Sequence, residues 1–332
     1  MYLNFDTAPN DIWKYFYKTL PNSEPINGTN VAAVSKNNEC FISNSYFNAN
    51  TEEGVITYKI NDNKMLISDC LFYECNATGT GGGAINFNCN SSIVQYRTCG
   101  YKSTVADTDK AHHAYIKLPL NTININYLYA SSFLSCGDSV KQNTNYIYQG
   151  KNRIKSINTS SCEAIKNAGI YFLGPTTIGN ITYSTFSQNK ADDQIIAFSS
   201  KKYQMHHCNI LNNSLTTTSS GNKGTCYAYQ AAVQIDHCSF FGNSPTTREF
   251  SVNVFSNKNS ITVKDCFFDK ENKGDSFAYG NVIFENNISE YYLNQLPHLS
   301  TNKCEAQYQL TLPTKAVIKD LKQMIYNVRR KH

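Results

Sequence analysis

Nine times along the chain an aliphatic residue is followed three positions later by Cys, Ser or a small apolar residue. Two further on comes an aromatic residue or Ile, and three after that Asn or Cys. The aliphatic slot holds Ile42, Ile67, Leu128, Ile154, Ile181, Met205, Ile235 and Val263, with Ser91 as the exception. The aromatic slot holds Phe47, Phe72, Tyr96, Phe133, Thr159, Phe186, Ile210, Phe240 and Phe268. The closing slot holds Asn50, Cys75, Cys99, Cys136, Cys162, Asn189, Asn213 and Asn243, and fails in the last copy, where Glu271 stands before Asn272. Such repetition constrains architecture before it says anything about activity.

Successive aromatic slots are 25, 24, 37, 26, 27, 24, 30 and 28 residues apart. Helical-pair repeats run longer and carry a 3.6-residue period, which is missing here. Apolar residues alternate within each phrase, and a polar pair resets the phase, as between Ile261-Val263 and Cys266-Phe268. That pattern is two short strands joined by a bend. A third strand recurs about ten residues downstream of the small slot, in stretches such as Tyr146-Ile147-Tyr148, Ile170-Tyr171-Phe172 and Val282-Ile283-Phe284. Three strands per turn of this length predict an all-β fold, a parallel β-helix of about nine coils stacked at ~4.8 Å. It should be right-handed, because crossovers between parallel strands almost always are.

Stacking explains the slot preferences. An Asn at a bend can bond to the Asn of the next coil, and Cys fits the same place as a small buried group. Seven of the twelve cysteines fall in two columns: Cys75, Cys99, Cys136 and Cys162 in the closing slot, and Cys208, Cys238 and Cys266 in the small slot. Buried thiols are the favoured reading, because parallel Cβ vectors suit a disulfide poorly, while oxidised vertical pairs in a secreted chain stay open. Cys70 and Cys75 lack a second pair that would make a zinc site.

The chain divides into an N-terminal cap (1–30), the repeat domain (31–290) and a C-terminal segment (291–332). Asp11 is placed to cap a helix carrying Ile12, Phe16 and Leu20 on one face, stopped by Pro21. After Thr314, Val317, Ile318, Leu321, Met324, Ile325 and Val328 form an amphipathic pattern with a basic tip at Arg329-Arg330-Lys331. The simplest role for each helix is to cover an open end of the rod. The second could also lie on an anionic membrane, the one route to membrane association. Residues 314–332 hold six Lys or Arg against one Asp, so they carry the whole net charge of +5. The rod itself therefore gives no electrostatic case for nucleic acid. No apolar run reaches 18 residues, and the first 25 lack a signal-peptide core. Seven glycosylation sequons, at Asn27, Asn76, Asn90, Asn158, Asn180, Asn212 and Asn287, permit a secreted life.

The Phe-x-x-Asn phrases at Phe47 to Asn50, Phe186 to Asn189 and Phe240 to Asn243, with Gly82-Gly83-Ala84-Ile85, resemble the repeats of chlamydial polymorphic outer membrane proteins. The right-handed β-helix surface proteins of trichomonad protists are similar. The resemblance covers roughly residues 30 to 290. It implies a cell-surface or secreted rod used in adhesion, with no catalytic residues to carry over. The bacterial proteins end in a β-barrel and the protist ones carry a membrane helix, and neither pattern is visible in this sequence.

Other β-helices degrade pectin, so a polysaccharide hydrolase or lyase is the alternative. Those enzymes share an order of motifs that Arg153-Ile154-Lys155, Asp192-Asp193 and His206-His207 do not follow here. Asp192 and Asp193 could act as acid and base across a cleft, but a solvated turn explains them as well. Asp107, Asp109, His112 and His113 include metal-ligand types, yet loop polarity accounts for them. Gly79 and Gly81-Gly82-Gly83 precede a strand rather than a helix, which excludes a phosphate cradle. No cofactor, metal or catalytic residue is therefore assigned. Insertions at Gly100 to His113 and Ser214 to Gly224, the latter including Asn222 and Lys223, enter at one corner with the loops Gly137 to Thr144 and Ser244 to Glu249. Loops at one corner of a solenoid project from one side, where partners bind. The sequence thus points to a non-enzymatic binding protein, its partner a protein or glycan at a cell surface.

Overall fold

A single coil shows how the chain turns. Lys151–Lys155 forms the first strand, Asn158–Ser160 the second and Asn167–Leu173 the third, with the two-residue strand Glu163–Ala164 between the last two. Ser156 and Ser161, at the bends, have φ of 56° and 52°. A left-handed backbone costs a non-glycine residue roughly 1–2 kcal/mol, so something must hold it. The next coil does: the Ser156 amide donates to the Thr182 carbonyl at 2.9 Å and the Ser161 amide to the Ser187 carbonyl at 3.0 Å. The first bend repeats in every coil as Asn44, Asp69, Arg97, Ala130, Ser156, Tyr183, His207, His237 and Asp265, each at positive φ.

The structure is a computed structural model that describes residues 8–294 and 296, except 34, 35, 80, 107–110, 121, 139–142, 217–222, 245–247, 254–258 and 270–276. Equivalent strands of successive coils pair in parallel throughout the rod. The second strands make a nine-stranded sheet, so eight full turns separate its edges. First and third strands fuse into one 17-stranded sheet, because Gln194–His206 and Gly224–Asp236 run through the bend between them. The fold is a right-handed parallel β-helix.

Inside, the slots become columns. Phe47 and Phe72 stack with centroids 4.8 Å apart and planes 8° from parallel, and Phe240 stacks on Phe268 at 5.2 Å. Ser and Cys interchange in the small slot because each does the same job. Ser131, Ser184, Cys208, Cys238 and Cys266 donate to the carbonyl two residues back, which steadies the left-handed bend. The same atoms accept from the preceding coil, as when the Cys238 amide donates to Cys266 Sγ at 3.3 Å and the Ile157 amide to Ser184 Oγ at 3.3 Å. In the closing slot the expected asparagine ladder runs from Cys162 through Asn189 and Asn213 to Asn243. Each Oδ1 accepts the amide of the coil before it at 2.9 to 3.0 Å. The described column cysteines other than Cys99 are buried free thiols, and Cys99 is disulfide-bonded. Burial pushes the thiols of Cys40 and Cys75 up to about 12.

The third copy is displaced by four residues from the sequence reading. Gln95 pairs with Ile67 and Gly100 with Phe72, which puts Thr98 and Ser103 in the small and closing slots. Tyr96, read as an inward aromatic, lies on the outer face, and Cys99 leaves the closing column. The error had a physical source: this coil holds a buried Gln95 where the others hold an aliphatic, and a glycine where most of them hold an aromatic. Asn50 also falls outside its column, since it pairs with Asn76 and is exposed, leaving Ala49 beside Cys75.

The N-terminal helix, Pro9–Tyr17, begins after Ala8, with Pro9 in its first turn, and stops at left-handed Lys18. It therefore starts before Asp11 and ends before Leu20, which is 64% exposed. It does not seal the end of the rod but lies along the outer face of the first sheet, where Phe41, Leu66, Val94 and Tyr96 offer an apolar surface. Trp13 meets Phe41 at 5.3 Å and Phe16 meets Tyr129 at 5.3 Å, several coils away. The first coil is continued instead by bridges from Ile26 to Ile42 and from Thr29 to Tyr46. At the other end Asn294 folds back over the second sheet, exchanging hydrogen bonds with Asn209 and donating to the His237 carbonyl. The helix expected after Thr314 lies outside the described residues.

Candidate functional site

The outer face of the third sheet carries a strip of tyrosines. Side chains alternate along each strand, so Ile116, Ile147, Phe172 and Phe198 fill the rod while their neighbours point outward. Register sets Tyr115, Tyr146, Tyr171, Ala197 and Tyr227 in one outward column, and Tyr148, Leu173, Ser199 and Tyr229 in the next. Tyr115 and Tyr146 stack at 4.9 Å, and Tyr146 meets Tyr171 edge to face at 5.3 Å. Burial raises the phenol pKa of Tyr115, Tyr146, Tyr171 and Tyr227, so all four stay neutral in ordinary buffers. Tyr229 is 41% exposed. At the far edge of this face an open cavity of about 470 Å³ includes Ile178, Lys201, Lys202 and Gln230 in its lining and no carboxylate.

The near edge of the strip is the corner where the insertions enter. Minor strands such as Thr104–Val105 and Ser214–Leu215 precede it, and Ala111–Lys117 and Gly224–Asp236 follow it. Asp107, Asp109 and Asn222 lie outside the described residues. Lys223 is described, and its Nζ pairs with Asp193 at 3.0 Å. Asp192 accepts a hydrogen bond from Thr216, and both aspartate amides donate to the Ile165 carbonyl. Both aspartates are half-buried, and each carboxylate is engaged by a neighbour at the corner.

His112 and His113 are not in a loop. They sit in the strand Ala111–Lys117 and both are fully buried, because the strand bulges there, pairing Ala111 and then Ala114 with Asn143 and Asn145. The His113 ring occupies the hole in the aromatic column above Gly100, 5.5 Å from Phe72 and 4.6 Å from Phe133. A Cβ on Gly100 would come within 2.5 Å of His113 Nδ1, and one on Gly83 within 2.2 Å of the His112 carbonyl. Of the glycines that resembled a phosphate cradle, Gly82 and Gly83 make way for the bulge, whereas Gly79 and Gly81 lie against the Glu52 and Glu53 carbonyls. His113 also sits against the thiol column. Burial opposes ionisation of Cys136, but hydrogen bonds from Cys162 and His113 outweigh it and lower its pKa.

Asn158 cannot be glycosylated in the folded rod, since it is 1% exposed in the second sheet between Ser132 and Thr185. Asn27, Asn212 and Asn287 are exposed; Asn76, Asn90 and Asn180 are half-buried. The tyrosine strip went unrecognised in the sequence, although its signal is there: Tyr on either side of an inward apolar residue in Tyr146-Ile147-Tyr148 and Tyr227-Ala228-Tyr229. Only the register makes those pairs one surface. No family model, curated protein or solved structure matches this chain. Among the described residues no helix is long and apolar enough to cross a membrane.

Proposed function

We propose that this protein is a non-enzymatic binding rod whose contact face is the tyrosine strip with the loop corner beside it, and whose partner is an extended glycan. The observation that carries this reading is the strip itself. The more open rings of the strip, Tyr148 and Tyr229, offer flat apolar area to sugar C–H groups, and the phenol hydroxyls offer donors, at low cost in side-chain entropy. Repetition at ~4.8 Å per coil gives a straight track of roughly 20 Å, the shape of a chain ligand rather than a small molecule. The engaged state of Asp192 and Asp193 supports binding without turnover. Surface display or secretion draws support from the Phe-x-x-Asn resemblance and from the exposed sequons.

The test is retention on immobilised polysaccharides, with Tyr148→Ala plus Tyr229→Ala as the variant, because both rings lie at or near the surface and their loss should leave the rod folded. Loss of retention with unchanged circular dichroism is expected. Unchanged retention, or binding only to proteins, overturns the glycan reading. Cleavage of a polysaccharide that Asp192→Asn with Asp193→Asn abolishes would replace it with an enzyme.

A further inference from the structure

At the bend between the first and second sheets, far along the chain from the loops that open the third, imidazoles and carboxylates gather on three consecutive coils. Register brings them together. His206 pairs with Asp236 and Asp236 with Lys264, and the left-handed residues that follow them are His207, His237 and Asp265. Two adjoining columns result, with Asp236 at their centre. Its Oδ1 lies 2.8 Å from His237 Nδ1 and its Oδ2 lies 3.3 Å from His206 Nδ1. Donor atoms of Asp236, His237 and Asp265 all lie within 4.8 Å of one another. Tetrahedral ligands at ~2.1 Å from an ion stand ~3.4 Å apart, so side-chain rotations moving the donors together by roughly 1 Å would close the set.

Beside the cluster, His207 and His237 lie face to face at 5.2 Å with planes 7° apart. The competing cation is Lys264, whose Nζ stands 4.0 Å from Asp265 Oδ2, a long and largely solvated pair worth little.

We infer that Asp236, His237 and Asp265 bind one divalent transition-metal ion of the Zn²⁺ class, with the fourth position left to water. One imidazole nitrogen, two carboxylate oxygens and an open position suit tetrahedral zinc, whereas Ca²⁺ and Mg²⁺ require six or more oxygens. Because the donors come from two neighbouring coils, the ion ties those coils together along the rod axis.

The experiment is calorimetric titration of the full chain with ZnCl₂ under reducing conditions, repeated with CaCl₂. Variants His237→Asn and Asp265→Asn are chosen because Asn tolerates the left-handed bend, so both should fold. One zinc per chain, no calcium heat, and at least a roughly tenfold loss of affinity in each variant are expected. Zinc affinity unchanged in the double variant overturns the assignment, as does the absence of zinc binding. Cobalt separates the chain's thiols from this site: an intense sulfur-to-metal absorption band on stoichiometric Co²⁺ binding would place the ion on cysteine and refute the inference.

Discussion

Replacing Asn213 with Ala tests the ladder that sets the closing slot. The side chain is 1% exposed and makes four hydrogen bonds. Oδ1 accepts from the Asn189 amide and from Asn189 Nδ2, each at 3.0 Å. Nδ2 donates to the Phe186 carbonyl at 2.9 Å and to Asn243 Oδ1 at 3.1 Å. Asn243 Oδ1 keeps its bond from the Asn213 amide, and Asn189 Nδ2 keeps its bond to the Thr159 carbonyl, so the substitution leaves the Asn189 amide and one Nδ2 proton unpaired and deprives the Phe186 carbonyl of one donor. At roughly 1–3 kcal/mol for each buried donor left unsatisfied, the loss is about 3–5 kcal/mol. With a urea slope of about 3 kcal/mol/M, the midpoint measured by far-ultraviolet circular dichroism should fall by about 1–1.7 M. Asn213→Cys should cost clearly less, because Cys162 already occupies the same column and its sulfur can accept a bond. The argument fails if the Ala variant unfolds within roughly 0.3 M of the parent, or if Cys proves worse than Ala.

His113→Phe should preserve stability to within about 1.5 kcal/mol, since it continues the aromatic column, while His113→Ala should lose about 3 kcal/mol by opening a void beneath Phe133; thermal denaturation distinguishes them. The ten free thiols among the described residues are all buried, so a small alkylating reagent should modify none of these ten in the native protein and all of them after unfolding, as located by peptide mass spectrometry. Cys40 and Cys75 have folded pKa values raised from 9.0 to about 12. Their contribution to stability is therefore complete below pH 9 and shrinks as pH rises toward 12, which denaturation midpoints between those values should show as a decline. If the protein is expressed in a glycosylating host, glycopeptide mapping should find Asn158 unmodified.

Coil and slot were legible in the sequence wherever a column is filled by one kind of residue. Ile154, Ile181 and Ile235 or Asn189, Asn213 and Asn243 repeat their chemistry, and the reading fails where the chemistry moves to another strand. The third coil shows why. Its aromatic slot is filled from outside by His113, thirteen positions after Gly100, so no local phrase records it. The histidine pair looked like loop polarity because burying two imidazoles needs the bulge and the small neighbours Gly83 and Gly100, which only the stacked coils reveal. The helix of Pro9–Tyr17 kept its apolar face, yet its resting place depended on outward Phe41, Leu66 and Tyr96, and an outward apolar residue reads in sequence like a break in alternation. The tyrosine strip and the bend holding His206, Asp236 and Asp265 are likewise products of register, which joins residues about 25 to 30 positions apart.

The two ends of the rod bear on how it comes apart. A stack whose hydrogen bonds all run along its axis would peel one coil at a time from either end, each step opposed only by its nearest neighbour. Here the outermost coils are strapped from the side. The helix at Trp13 and Phe16 reaches Tyr129, and Asn294 grips Asn209 and the His237 carbonyl. Peeling the first coil means first lifting a strap that rests on coils further in, so the terminal units lose the freedom to fray on their own. Hydrogen exchange should accordingly be slow right out to the edge coils and should accelerate there, before anywhere else, when Trp13 or Asn294 is replaced by Ala.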